Sequence, residues 1–193
     1  MRDYLLRYEI IFHGRGGQGA VTAAEIMAYA AILSGFYAQA FPEFGAERRG
    51  APVKAYFRVD DKEPIYERNP VERPDMIAVL DEGLILRLHP PIYTNLKSNG
   101  WIIINSSRDP EKLRDVIERK DVRIAVVNAT SIALELFKRP IVNTTIIGAL
   151  MKVFNVIPME NIEKAIRSKF QKDVAEINIK AIKKGYENTV VIE

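Results

Sequence analysis

A glycine-rich turn between two apolar segments constrains the fold of this chain more than any other feature. Residues 8–13 are mainly apolar, and they are followed by Gly14, Arg15, Gly16, Gly17, Gln18 and Gly19, which fit the spacing G-x-G-x-x-G. Residues 20–33 then carry small and apolar side chains at helical spacing, until Ser34-Gly35 ends the run. Residues 36–41 are apolar again. This order predicts a strand–turn–helix–strand unit whose two strands pair in parallel through a right-handed crossover.

The rest of the chain predicts a three-layer α/β/α fold. Apolar runs at 76–80, 101–105 and 122–127 are typical of buried strands, with helical segments between them and through the last third. An alternating strand at 52–59, a turn at 60–62 and a short strand at 64–66 predict an antiparallel hairpin insertion. Residues 190–192 fit a short edge strand or a loosely docked end. We therefore expect residues 1–193 to form a single α/β domain with a mostly parallel sheet, an antiparallel hairpin insertion and a helical C-terminal third.

Composition excludes several classes of chemistry. The chain has no cysteine, so it cannot form disulfides or bind zinc or an iron–sulfur cluster through thiolates. It has two histidines, His13 and His89, and neither lies in a zinc-protease motif. The net charge of +3 is too small to imply nucleic-acid binding. Neither a signal peptide nor a run of about 18 apolar residues is present, which favours a cytoplasmic protein away from the membrane.

The glycine turn has three interpretations. Its glycines could serve only a tight turn with close helix–strand packing. Alternatively, the amides at the helix N-terminus, with Arg15, could contact an anion or cofactor, shared with another subunit. Binding of NAD by this chain alone is the weakest interpretation, because Gln39-Ala40-Phe41 supplies no acid for a ribose hydroxyl and no Gly-Lys-Ser/Thr closes a phosphate loop.

Three motifs in order resemble the gamma subunit of 2-oxoacid:ferredoxin oxidoreductases, in wording nearest to the pyruvate-specific members. The first spans residues 12–25 and reads FHGRGGQGAVTAAE, the second is YAQAFP at 37–42, and the third is GAERRGAPV at 45–53. Asn143-Thr144 with Gly148-Ala149-Leu150 resembles a later segment of the family. The similarity covers residues 8–154, and we expect it to extend over the whole chain.

The resemblance implies a role in the reversible conversion of pyruvate, coenzyme A and oxidised ferredoxin into acetyl-CoA, carbon dioxide and reduced ferredoxin. It implies that alpha and beta subunits hold thiamine diphosphate and Mg²⁺, while beta and delta subunits carry [4Fe–4S] clusters. The gamma chain then has no cofactor, catalytic residue or metal ligand of its own, and it serves assembly or shapes the active site. Two alternatives stay open: a free-standing nucleotide-binding protein that uses the glycine turn, and a gamma chain for another 2-oxoacid.

Several residues are candidates for contact with partners. Glu47, Arg48 and Arg49 lie in a charged loop that could contact a partner subunit or the phosphates of coenzyme A, or could simply be solvated. Asn143 could contact a partner or cap the helix that follows it. Asp81, at the end of a predicted strand, could bind a ligand or cap the next helix. We expect His13 to be neutral and hydrogen-bonded to the backbone.

Overall fold

The structure is a computed structural model that describes residues 7–43 and 50–192, and within these ranges a mixed sheet of seven strands is flanked by seven helices. The strands stand in the order β2-β3-β1-β4-β5-β6-β7. They are β1 (Arg7–Arg15), β2 (Tyr37–Glu43), β3 (Pro52–Asp60), β4 (Met76–Val79), β5 (Trp101–Asn105), β6 (Arg123–Val127) and β7 (Val190–Ile192). The helices are α1 (Ala20–Leu33), α2 (Gly83–Arg87), α3 (Pro110–Val116), α4 (Ala129–Phe137), α5 (Asn143–Val153), α6 (Met159–Lys169) and α7 (Lys172–Glu187).

The sheet is parallel in its centre and antiparallel at both sides. Strands β1, β4, β5 and β6 pair in parallel, whereas β3 pairs antiparallel with β1 and β2, and β7 pairs antiparallel with β6. Five strands therefore run in one direction and two in the other. The α/β class and the helical C-terminal third are confirmed, and the last segment is an edge strand. The predicted hairpin of residues 52–59 with 64–66 is wrong.

The predicted parallel pairing of the first two strands is wrong, because β3 lies between them. Residues Arg7–Arg15 pair with β3 in unbroken antiparallel register from Arg7 opposite Asp60 to Arg15 opposite Pro52, and β2 pairs with the other side of β3. The hairpin is thus β2–β3, and residues 64–66 form no strand. Both edges of β3 are already paired, so a strand after it has no free edge to join.

The two faces of the sheet explain why the central strands are apolar on both sides. One face packs against α1, α4, α5, α6 and α7, and the other packs against α2, α3 and the connecting segments around Val71, Tyr93 and Leu96. Consecutive residues such as Ile102 and Ile103 in β5 enter opposite cores. Burial on both faces produces continuous apolar runs instead of alternation. No helix within the described ranges is long and apolar enough to cross a bilayer.

Two glycines allow α5 and α7 to pack unusually closely. A Cβ atom at Gly148 would overlap the carbonyl oxygen of Ile182, and one at Gly185 would overlap the carbonyl oxygen of Thr145. Thr144 in α5 also donates a hydrogen bond of 2.9 Å to Oδ1 of Asn178 in α7, and both side chains are buried. This helix pair holds the N-terminus of α5 in a fixed position beneath the glycine turn.

Candidate functional site

Hydrogen bonds within the glycine turn, and one to the neighbouring residue Ala51, hold the turn closed. Gly14 and Arg15 end β1, the amide of Gly16 donates to the carbonyl of Ala51 (2.9 Å), and the amide of Gln18 donates to the carbonyl of Arg15 (3.0 Å). A second hydrogen bond joins the same two residues, because Oε1 of Gln18 accepts from the Arg15 amide at 2.7 Å. Gly17 and Gly19 have φ angles of 92° and 85°, a region that favours glycine. The turn is therefore well defined before any ligand is considered.

Gly19 and Asn143, far apart in sequence, are in direct contact. Gly19 precedes α1 and Asn143 begins α5, and a Cβ on Gly19 would lie 2.6 Å from Nδ2 of Asn143. Asn143 is buried, and its Oδ1 accepts a hydrogen bond from the Thr144 amide at 2.9 Å. The interpretation that Asn143 caps this helix is wrong, because Val142 is the N-cap residue and makes no side-chain cap. Asn143 instead packs against the turn.

The guanidinium of Arg15 is paired within the chain. Its Nε donates to Oδ2 of Asp81 at 2.7 Å, and its Nη1 donates to the carbonyl of Gly50 at 3.2 Å. Asp81 also accepts from Nε2 of Gln18 (3.4 Å) and from the amide of Gly83 in the first turn of α2 (2.9 Å). Asp81 thus joins the turn after β1 to the first turn of α2, although the N-cap residue of that helix is Glu82 and not Asp81.

A polar cleft of about 460 Å³ opens next to this network, at the carboxyl ends of β4, β5 and β6. It is lined by Gln18, Leu80, Asp81, Glu82, Asn105, Ser106, Ser107, Asn128, Thr130, Ser131 and Leu134. Ligands in open α/β sheets bind at this edge, where the connections from neighbouring strands diverge to opposite sides. Here the helices after β1 and β6 pack on one face and the helices after β4 and β5 on the other, so the connections diverge between β1 and β4 and again between β5 and β6.

Most polar groups of the cleft already have partners. Asn105 donates from Nδ2 to the carbonyl of Leu80 (2.9 Å) and accepts at Oδ1 from the Thr130 amide (3.1 Å). Asn128 caps α4 by accepting from the Ser131 amide at 3.0 Å. Sequence reasoning did not single out Asn105 as a site residue. The available signal was the position of these two asparagines, each directly at the end of a buried strand.

The charge of the cleft disfavours a strongly anionic ligand. Asp81 and Glu82 line it, while Arg15 is held by Asp81, and Arg108 lies 3.5 Å from Glu82. No histidine lines the cleft. The arrangement can bind and orient a polar group through amides and hydroxyls.

The predicted charged loop falls outside the described residues. Glu47, Arg48 and Arg49 all lie in the stretch 44–49 that the structure does not describe. Gly50, the first described residue after this stretch, accepts the hydrogen bond from Arg15. The sequence-predicted site residues Gly14–Gly19 and Asn143 are thus brought together.

His13 does not line this cleft, and it lies on the face of the sheet that packs against α2 and α3. It is buried, and its Nε2 has no hydrogen-bond partner among the described residues. Burial, with a smaller contribution from the positive charge of Lys54, lowers the pKa of His13 to about 4. The expectation of a neutral imidazole stands, but the expected backbone hydrogen bond at this nitrogen is not formed.

Comparisons with known proteins place the chain in a family. The family model described as pyruvate ferredoxin/flavodoxin oxidoreductase matches residues 9–188. A protein of Thermococcus litoralis, named pyruvate/ketoisovalerate oxidoreductases common subunit gamma, is 45% identical over 185 residues, which is 96% of this chain and 98% of that protein. Pyruvate synthase subunit PorC of Methanothermobacter thermautotrophicus is 45% identical over 179 residues, covering 93% and 94% of the two chains.

A solved structure agrees in fold along almost the whole chain. The crystal structure of pyruvate oxidoreductase subunit PORC from Thermotoga maritima superposes with a TM-score of 0.86 at 40% identity, covering 97% of this chain and 99% of that one. This confirms the resemblance inferred from the three sequence motifs. The chain belongs to the pyruvate ferredoxin/flavodoxin oxidoreductase family.

Proposed function

We propose that this chain is the gamma subunit of a multi-subunit pyruvate:ferredoxin oxidoreductase that works in the cytoplasm. The complex would convert pyruvate, coenzyme A and oxidised ferredoxin into acetyl-CoA, carbon dioxide and reduced ferredoxin, in either direction. Its partners would be the alpha, beta and delta subunits, with ferredoxin as electron acceptor. The observation that carries the proposal is the end-to-end similarity to subunits named for pyruvate synthase.

The chain's own donor groups do not fit the cofactors of such a complex. The sequence has no cysteine for a [4Fe–4S] cluster, and the part of the chain that the structure describes has no group of three or more His, Asp or Glu suited to a metal ion. We therefore assign thiamine diphosphate, Mg²⁺ and the clusters to partner subunits. This chain would contribute surfaces that hold those subunits in place and shape access to the active site.

The glycine turn and the loop that carries Glu47, Arg48 and Arg49 are the proposed contact surface, and the buried Asn143 supports the turn from inside the chain instead of contacting a partner. Arg15 is neutralised by Asp81, and the neighbouring cleft is acidic, which supports contact with a protein surface more than capture of a free phosphate. Arg48 and Arg49 precede Gly50 in the sequence, and their two cationic groups are of the type that binds an acidic partner surface or the phosphates of coenzyme A.

Co-expression of the four subunits tests the proposal. With an affinity tag on this chain, we expect co-purification of iron and thiamine diphosphate, and pyruvate-dependent reduction of viologen by the complex. Omitting this chain should abolish assembly of the active complex. Recovery of the tagged chain alone, or pyruvate turnover by this chain unaided, would contradict the proposal.

A charge-matched pair of variants tests the contact surface. The double variant Arg48→Ala/Arg49→Ala should weaken co-purification at least about tenfold, since desolvated interfacial charges dominate such contacts. The control Lys172→Ala/Lys180→Ala removes the same charge from exposed positions of α7. Equal loss in both variants would argue against a specific role for the loop.

Two measurements separate the alternatives. Calorimetry of the isolated chain with NAD, NADP, ATP and coenzyme A tests the free-standing nucleotide-binding function, which predicts micromolar affinity. The relative from Thermococcus litoralis is named as common to pyruvate and ketoisovalerate oxidoreductases. The viologen assay therefore includes 2-ketoisovalerate, and reduction with that acid alone would favour the gamma chain of another 2-oxoacid enzyme.

A further inference from the structure

Strand β2 is one edge of the sheet, and within the described ranges no strand lies on its outer side. Its pairing with β3 runs without a bulge from Tyr37 opposite Asp60 to Glu43 opposite Lys54. Residues 38–42 carry no charged side chain. Edge strands of soluble proteins are usually short, bulged, charged or covered, because an open edge pairs with other chains. A regular edge of seven residues without charge in its middle is therefore a surface for a partner strand.

The hydrogen-bond register identifies the groups of β2 that point outward. The amide of Gly16 donates to the carbonyl of Ala51 and continues the β1–β3 ladder, so odd-numbered residues of β3 bond to β1 and even-numbered ones bond to β2. The even-numbered residues of β3 stand opposite odd-numbered residues of β2. The backbone groups of Ala38 and Ala40 therefore point away from the sheet. Pro42 takes the next outward position, where its missing N–H costs no bond to β3.

Helix α1 lies over this edge and leaves apolar side chains exposed beside it. It packs on β2 and β3, and the helices that pack against it in the described part of the chain are α5 and α6. A salt bridge of 2.7 Å between Lys169 and Glu25 fixes the α6 side. Tyr29 and Leu33, one turn apart in α1, are 43% and 40% exposed, and Tyr37 at the start of β2 is 45% exposed. Grouped apolar exposure of this kind marks an interaction surface.

A second copy of this chain satisfies the backbone groups of the edge. When two β2 strands pair antiparallel about a two-fold axis at Gln39, Ala38 of each copy stands opposite Ala40 of the other. These two pairs form four backbone hydrogen bonds, because both residues point outward. Tyr37 then stands opposite Phe41 of the other copy, an aromatic pair of the kind that stabilises antiparallel strands. The strands do not repel each other, since residues 38–42 are uncharged.

The same arrangement also covers the exposed side of α1. A two-fold axis perpendicular to the sheet keeps both α1 helices on the same face. Neighbouring strands stand about 4.8 Å apart, and α1 lies over the interval between β2 and β3. The two α1 axes are then two strand intervals apart, or about 10 Å, which is the spacing of packed helices. A strand from another protein would satisfy the edge, but it would need a helix of its own at this distance to cover Tyr29 and Leu33.

We propose that the β2 edge and the exposed side of α1 form a self-association surface, through which two copies of this chain make a symmetric dimer with one continuous sheet. The two-fold axis passes between the two Gln39 residues. The proposal does not rest on the proposed function of the chain. Within a multi-subunit complex, the contact joins two copies of this subunit.

The absence of cysteine makes a cross-linking test direct. The variant Gln39→Cys places one thiol in each chain, at the residue that stands opposite itself in the dimer. Such a pair, which exchanges no backbone hydrogen bonds, has Cα atoms about 4.5 Å apart, within the range that a disulfide spans. We expect mild oxidation of the full-length variant to give a covalent dimer on a non-reducing gel. The control Val190→Cys, at the exposed opposite edge of the sheet, should stay monomeric.

Analytical ultracentrifugation of the cysteine-free chain gives an independent readout. We expect a dimer with a dissociation constant on the order of 1 μM. The variant Leu33→Lys/Tyr37→Lys places charges on the exposed patch and should weaken the dimer at least about tenfold. The control Val174→Lys/Val190→Lys adds the same charge at similarly exposed positions of α7 and β7, and it should leave the dimer unchanged.

Several results would overturn the proposal. They are a wild-type chain that stays monomeric at about 100 μM, equal weakening by the two double-lysine variants, and absence of the Gln39→Cys cross-link. The cross-link does not depend on the lysine variants, so a folding defect in one of them leaves the test intact. A cross-link that forms in the isolated chain but not in the complex assembled with other subunits would also overturn it, because another subunit would then cover this edge.

Discussion

Replacing Gly19 with alanine tests whether the glycine turn and α5 form one unit. Gly19 has a φ of 85°, and a Cβ there would lie 2.6 Å from Nδ2 and 3.0 Å from Cγ of Asn143. Gly17 has nearly the same backbone conformation, with a φ of 92°, but nothing lies within 4 Å of its built Cβ. The variant Gly17→Ala therefore has the backbone strain alone, and Gly19→Ala has the strain together with the steric overlap.

The structure sets the size of the two effects. A side chain in the left-handed region costs about 1–2 kcal/mol, and forcing an extra carbon into a packed site costs about 1–3 kcal/mol more. We expect Gly17→Ala to lower the free energy of unfolding by about 1 kcal/mol and Gly19→Ala to lower it by about 3 kcal/mol. Because Asn143 causes the difference, Asn143→Ala should relieve at least about 1 kcal/mol of the Gly19→Ala effect.

Urea denaturation of the four variants measures this coupling. Trp101, the only tryptophan of the chain, is buried in β5 and reports unfolding by its fluorescence. Equal destabilisation by Gly17→Ala and Gly19→Ala would refute the steric argument. Strictly additive effects of Gly19→Ala and Asn143→Ala would refute the direct contact between the turn and α5.

Three further predictions concern other parts of the chain. The pKa of His13 is about 4 in the folded chain and 6.5 in the unfolded chain, so the unfolded chain binds the proton first as the pH falls. The free energy of unfolding should therefore fall by about 3 kcal/mol from pH 6.5 to pH 4. In urea titrations, His13→Leu should lack this part of the pH dependence. Gly148→Ala should destabilise by about 3 kcal/mol or more, because its Cβ overlaps the Ile182 carbonyl; a fall below 1 kcal/mol in thermal or urea unfolding would contradict such close packing. Asp81→Asn, which removes the charge paired with Arg15, should lower the free energy of unfolding by about 1 kcal/mol, since both side chains are partly exposed. Urea unfolding of Asp81→Asn, Arg15→Gln and the double variant should show that the two single effects are not additive.

Local patterns predicted the elements well where one segment carries enough information by itself. Strand β1, the turn and α1 follow from an apolar run, glycine spacing and a helical face. Asp109 directly precedes Pro110 and caps α3 by accepting hydrogen bonds from the amides of residues 111 and 112. The cap of α5 was not predictable in this way. Asn143 is a good capping residue by type, but its side chain is used against Gly19, a contact that depends on a segment more than a hundred residues away.

Local sequence patterns were sufficient to predict the strand–glycine turn–helix unit, the α/β class, the absence of thiolate ligands and, through three ordered motifs, the family. The folded chain was needed to learn that β3 lies between β1 and β2, that Asn143 packs against Gly19, and that His13, Lys54 and Glu43 stand opposite one another on neighbouring strands. The physical reason is that secondary structure and chemical composition are local properties, recorded within a few turns or strands of chain. Strand neighbours and side-chain contacts are chosen by competition among all edges and faces for burial and hydrogen bonds, and that competition is resolved only when the whole sheet is assembled.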